Sequence, residues 1–123
     1  LLIIAVPNND AFIKDTFNNL LNLPPHHLIH WNEESLCFLA KKFKLEIIEI
    51  FKEKITKTHE KWYYTTLLNK FIRKTLKFKH RSFSSNFFEK LINKFSSILS
   101  KLIFLKPINK ENGHTILIVL KKK

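Results

Sequence analysis

Three short apolar runs, set between stretches of helical periodicity, constrain this chain more than anything else in it. They are LLIIAV at residues 1–6, LEIIEIF at 45–51 and TILIVL at 115–120. Short apolar runs bounded by turn residues read as strands, and the first and last read as strands buried on both faces. In the middle run Glu46 and Glu49 interrupt the pattern on alternate faces, which a sheet edge tolerates and a sheet interior does not. The order is strand, helix, loop, helix, strand, helical hairpin, strand. That is an α/β pattern and not a helical bundle.

Local signals fill in the intervening stretches. Pro7 ends the first run, NND offers turn chemistry, and a short amphipathic helix is expected from about Asp10 to Leu21. Pro24 and Pro25 forbid its continuation. Asn32 reads as an N-cap, Glu33 and Glu34 favour the helix dipole, and Trp31 with Leu36 forms a hydrophobic staple. Further on, Tyr64, Leu67, Leu68, Phe71, Ile72 and Thr75 form one helical stripe. Phe88, Leu91, Ile92, Phe95, Ile98, Leu99 and Leu102 form another. The polar link KHRSFSS joins them as an antiparallel hairpin, Pro107 stops the second helix, and NKENG turns the chain. Stripes of this kind are core by default. The resulting division is 1–57, a hairpin at 58–106, and a final strand with a basic tail at 107–123.

The chain has 123 residues, enough for one domain at most. It begins inside an apolar run and contains no methionine, so an absent N-terminal part is expected. Three strands also fall short of a doubly wound sheet covered on both faces. The opening run is too short to span a membrane, and no signal-peptide pattern precedes it. Net charge is +12, but twenty of the 22 basic residues are lysine, Arg73 and Arg81 being the exceptions. Lysine suits a solvated face, whereas phosphate readers lean on arginine's planar fork, so nucleic acid is a poor match. Cys37 is the single cysteine, which excludes an intramolecular disulfide and fits a reducing cytoplasm. Its apolar neighbours make it a small buried side chain, not a reactive thiol.

Taken together, VPNND after a strand, PPHHLIHW, a capped helix, KLEIIEI and a terminal GHTILIVLKK resemble the C-terminal half of S-adenosylmethionine-dependent methyltransferases. The resemblance is to the small-molecule methyltransferase-domain group that includes the ubiquinone-biosynthesis type. It covers residues 1–51 and 112–121; the hairpin departs from the short connection usual in the family. It implies the C-terminal part of a Rossmann-like sheet of three strands, the last antiparallel between the other two, with an inserted helical hairpin. It also implies methyl transfer to a small, apolar or lipid-like acceptor. The donor, S-adenosylmethionine, would be held by a glycine-rich turn in the absent half. Gly113 is the sole glycine, so no such turn exists in this chain.

Methyl transfer is an in-line displacement that needs alignment, exclusion of water and, for a hydroxyl or amine acceptor, removal of a proton. Histidine suits the last task near neutral pH. His26 and His27 are therefore the candidate catalytic residues, held by a loop that Pro24 and Pro25 stiffen. Pro7, Asn8, Asn9 and Trp31 are the candidate acceptor-binding residues. A purely structural role is also open: the histidines bonding to backbone carbonyls, Trp31 anchoring the core, and the asparagines making turns. HHLIH, with His26, His27 and His30, lacks the carboxylate or thiol partner of a good metal site. His59, His80 and His114 fall in solvated or turn contexts with no chemical role expected. The hairpin allows two further readings: a lid that selects an apolar acceptor, or a membrane surface met by Phe87, Phe88 and Phe95 with Lys90, Lys94 and Lys101 toward phosphates. The alternative to the enzyme is a non-enzymatic basic helical module that binds anionic membrane or nucleic acid.

Overall fold

The computed structural model describes residues 1–79, 83–102 and 113–122. In chain order the elements are β1 (Leu2–Pro7), α1 (Glu33–Lys42), β2 (Leu45–Lys52), α2 (Lys57–Thr75), α3 (Phe87–Leu102) and β3 (Thr115–Lys122). The three strands form one sheet in the order β1-β3-β2, with β3 antiparallel to both neighbours. The fold is α/β, with the last strand central and β2 at an edge.

Pairing fixes which side chains share a face. Ile118 lies opposite Ile4 on one side and Ile50 on the other, and Ile116 lies opposite Val6. Ile116, Ile118 and Leu120 are completely buried against Leu36 and Ala40 of α1, with Ile4, Val6, Leu39 and Ile50 around them. Burying a side chain of this size stabilises by about 1.5–3 kcal/mol, so this cluster is the main anchor of the sheet. Helix α1 starts where the sequence says it should. Asn32 Oδ1 accepts from the Ser35 N–H and Ser35 Oγ accepts from the Asn32 N–H, both at 2.9 Å.

Four expectations need correction. The Asp10–Leu21 helix does not form; two short 3-10 turns, Phe12–Asp15 and Leu20–Asn22, take its place. The Thr16 hydroxyl donates to the Ile13 carbonyl at 2.6 Å, and Asn18 has a positive φ of 54°. Asn18 also exchanges two side-chain hydrogen bonds with the Ser84 backbone, at 2.9 and 3.2 Å. Local and long-range side-chain bonds outcompete the helix ladder here.

Glu46 and Glu49 do not point to opposite faces. A bulge between Ile47 and Glu49 resets the register, so Glu46 pairs with Lys121 and Glu49 with Val119, which share a face. Nor is β1 buried on both sides: Leu2 is 46% and Ile3 58% exposed. Among the described residues β1 has one strand neighbour, and no element covers the sheet face opposite α1.

The fourth correction concerns the hairpin, whose second helix turns most of its apolar stripe outward, while in α2 Phe71 is exposed and Tyr64 buried. Phe88, Leu91, Phe95, Ile98 and Leu102 are each at least 52% exposed. The face that meets α2 carries Glu89, Ser96 and Ser100, all buried, against Thr66, Asn69 and Arg73. Arg73 pairs with Glu89 at 2.9 Å, Asn69 Nδ2 donates to Asn93 Oδ1 at 3.1 Å, and the Thr65 and Ser100 hydroxyls meet at 2.9 Å. Polar contacts line the inside of the hairpin, with Asn69 Oδ1 buried and unpartnered among them, and much of the apolar stripe of α3 faces solvent. The link at His80, Arg81 and Ser82, Pro107, and most of NKENG lie outside the described residues. The hairpin joins the rest through a second core in which Phe12 and Ile13 pack on Ile55, Tyr63 and Tyr64.

Candidate functional site

Since β1 and β2 both oppose β3, their carboxyl ends lie at one end of the sheet, beside the start of β3: Pro7 pairs with Thr115, and Lys52 with Ile116. Ligands of open α/β sheets bind beyond such carboxyl ends. A cavity of about 400 Å³ opens there, lined by Pro7, Asn19, Asn22, His27, Trp62 and His114 among others. A smaller one of about 220 Å³ lies beside it, lined by Asn9, Asn22 and His30 among others.

The candidate residues separate clearly. Pro7 and His27 line the larger cavity and His27 is half-buried. His26 is exposed, and its N–H donates to the Leu23 carbonyl at 3.0 Å. Asn8 is buried and makes a turn: its Oδ1 accepts from the Asp10 N–H at 3.0 Å, and its N–H donates to the His114 carbonyl at 2.8 Å. Asn9 donates its N–H to the Trp31 carbonyl at 2.7 Å and lines the smaller cavity. Trp31 packs on the α1–sheet core, as a staple residue should. His30 Nε2 lies 3.1 Å from the Asn22 carbonyl. The PPHH loop thus brings His27, and not His26, to the cavity.

A second group at the same end was not visible in the sequence. Glu53 follows β2, His114 precedes β3, and His59 sits in the first turn of α2. One donor atom from each lies within 4.8 Å of the others. His114 Nδ1 is 3.0 Å from Glu53 Oε2, yet both atoms are buried without a hydrogen-bond partner, so the pair is close but misaligned. Burial pushes the His114 imidazole below its ordinary pKa; the Glu53 carboxylate opposes that shift and His59 adds to it. The His59 and His114 rings meet edge to face at 4.4 Å, and Trp62 packs against both.

Backbone geometry fixes Glu53 in this group. Its N–H donates to the Thr115 carbonyl at 3.0 Å, and its own carbonyl accepts from the Gly113 N–H at 2.9 Å. A Cβ on residue 113 would overlap that carbonyl, so only glycine fits. The antiparallel pairing of β2 with β3 is what joins Glu53 to His114 across 61 positions of sequence. Once that pairing is assumed, the polar residues just outside the two strand ends become neighbours; this was the available signal.

Compared with protein-family models, with curated proteins and with solved structures, the chain matches none. Among the described residues no helix is long and apolar enough to cross a membrane.

Proposed function

We propose that this chain is the acceptor-side part of a Rossmann-like, S-adenosylmethionine-dependent methyltransferase acting on a small, apolar acceptor. The observation that carries this reading is the position of His27. It lines a cavity at the carboxyl ends of two co-oriented strands that flank an antiparallel last strand. The strand order is the one the family resemblance implies, and the loop is the one that carries PPHH.

The residues present do not fit the methyl donor itself. The sole glycine, Gly113, is committed to its close contact with Glu53 and builds no glycine-rich turn. Donor binding therefore falls to a separate unit, and the uncovered edge and face of β1 are where such a unit would extend the sheet. This chain's own part is to enclose the acceptor among Pro7, Ile13 and Trp62, excluding water, while His27 accepts the proton released from a hydroxyl or amine.

The coding sequence upstream of Leu1 tests the division of labour: a strand followed by a glycine-rich turn is expected. A native product that begins at Leu1, folds by itself and binds the donor tightly would refute it.

A second reading, carried by the inside-out hairpin, is a basic module that meets an anionic membrane. Large apolar faces left in water usually mark a binding surface. Exposed Lys90, Lys94 and Lys101 stand along the same helix as the exposed phenylalanines, a charge pattern that complements lipid phosphates. The two readings are compatible if the acceptor is itself lipid-like.

A further inference from the structure

We infer that Glu53, His59 and His114 form a binding site for a first-row divalent metal ion, with zinc the best match. Two imidazoles and one carboxylate are the donor set that suits zinc, whereas magnesium and calcium favour all-oxygen sites. The donor atoms lie within 4.8 Å of one another. Donors bound at about 2.0–2.2 Å to one tetrahedral ion stand about 3.4 Å apart, so binding must draw the outermost pair together by roughly an ångström or more.

Two features set this cluster apart from a chance grouping of polar residues. First, His114 Nδ1 and Glu53 Oε2 face each other at 3.0 Å with neither hydrogen-bonded to anything. Buried polar atoms without partners are rare and costly, and an ion between them would satisfy both. Second, the three residues are held by independent elements. Glu53 is fixed by backbone bonds to Thr115 and Gly113, and His114 by its carbonyl bond to Asn8. The His59 ring lies 3.1 Å from the Thr56 hydroxyl. The contact is through Nδ1, the nitrogen that also faces Glu53 Oε1 at 4.0 Å, so an ion bound there takes the place of the hydroxyl.

Three protein ligands leave a fourth position on a tetrahedral ion, the arrangement of sites that bind a water or a substrate oxygen. His114 belongs to both the cluster and the cavity wall, so a bound ion stands within reach of an occupant of the cavity. The site does not depend on the methyl-transfer reading. It also clamps together the ends of β2, β3 and α2, so that metal binding favours the folded state.

The test is titration of the full chain, stripped with chelator, with Zn²⁺ alone against a competing chromogenic chelator. One ion per chain is expected, with a dissociation constant of about a micromolar or tighter. His59→Gln and His114→Gln should each weaken binding by roughly 100-fold or more, since even outer partners of a metal are worth 10–100-fold. The double variant His26→Gln/His30→Gln should leave it unchanged. Should a variant fail to fold, histidine ring NMR of the unaltered chain replaces it: Zn²⁺ should shift the His59 and His114 signals and leave those of His26 in place. Absence of stoichiometric uptake, unchanged affinity in the His59 and His114 variants, or uptake that follows His26 and His30 would each overturn the assignment.

Discussion

Arg73 and Glu89 form an ion pair at 2.9 Å with side chains only 9% and 8% exposed, on the inner face of a hairpin whose outer face is apolar. The Arg73 guanidinium also lies 4.2 Å from the centre of the Phe17 ring, and its Nη2 donates to the Lys79 carbonyl at 3.2 Å. One side chain thus ties α2 to α3 and to the turn region after β1.

Removing one partner strands the other. Glu89→Ala leaves a buried guanidinium without its counter-charge and should destabilise the chain by about 3–5 kcal/mol. Replacing both partners, as in Arg73→Met/Glu89→Leu, should cost far less, because no charge is left unpaired. Urea unfolding of the two variants checks the order. Equal losses in both would show that the pair's geometry, and not its charge balance, holds the hairpin.

Gly113 should tolerate no side chain. The methyl group of Gly113→Ala would meet the Glu53 carbonyl, a backbone atom that cannot swing aside. Overpacking of this kind costs about 1–3 kcal/mol. Displacing Glu53 also moves it from His114, so the same variant should take up Zn²⁺ more weakly. Thermal melting and the zinc titration read the two effects separately.

The cap of α1 offers a smaller and cleaner measurement. Asn32→Ala deletes the side-chain oxygen that accepts the Ser35 N–H and should cost about 1 kcal/mol, whereas Asn32→Asp should cost little. Chemical denaturation distinguishes them. A neutral alanine variant would mean that the Trp31–Leu36 contact alone sets the start of the helix.

Much of this architecture is readable from local pattern. The Asn32 cap, the three strands and the α/β order all follow from short-range signals. Strand β2 does stand at an edge, but its glutamates share one face, so the alternation that suggests the edge is not the reason for it. What pattern could not supply was the partner of each face. A helical stripe is equally apolar whether it meets a core or solvent, so Phe88 and Phe95 read as core. The polar contacts that reverse the hairpin, Asn69 with Asn93 and Thr65 with Ser100, join residues 24 and 35 positions apart. A bulge adds one residue and leaves no mark in alternation, so the pattern alone puts Glu49 on the wrong face. At the site, PPHH drew attention to His26 and His27 alike, and only tertiary placement separates them. His59 and His114 carry no local mark of their meeting, which depends on strand register.

Under the proposed methyl-transfer reading, that separation of His26 from His27 has a kinetic consequence. His27→Ala should lower turnover by about 100-fold or more if the imidazole accepts the acceptor's proton. His26→Ala, at an exposed position, should leave it near the unaltered value. Turnover at raised pH refines the result, since an acceptor that ionises by itself needs no base. Equal effects of the two substitutions would return both histidines to a role in loop packing.

The outward face of α3 gives a prediction in which stability and binding part company. Phe88 and Phe95 are 67% and 56% exposed, so Phe88→Glu/Phe95→Glu removes little buried surface. Exposed substitutions usually change stability by less than about 0.5 kcal/mol. If the face meets lipid, the same change places two carboxylates against anionic headgroups and should abolish co-sedimentation with phosphatidylcholine–phosphatidylserine vesicles. Binding by the unaltered chain should weaken as salt rises, because Lys90, Lys94 and Lys101 act through a screened field. Failure to sediment even at low salt would rule out the membrane. A dimer that the double variant converts to monomer would instead assign the face to a second copy of the chain. A large loss of stability in the variant would show that the stripe is packed in solution after all.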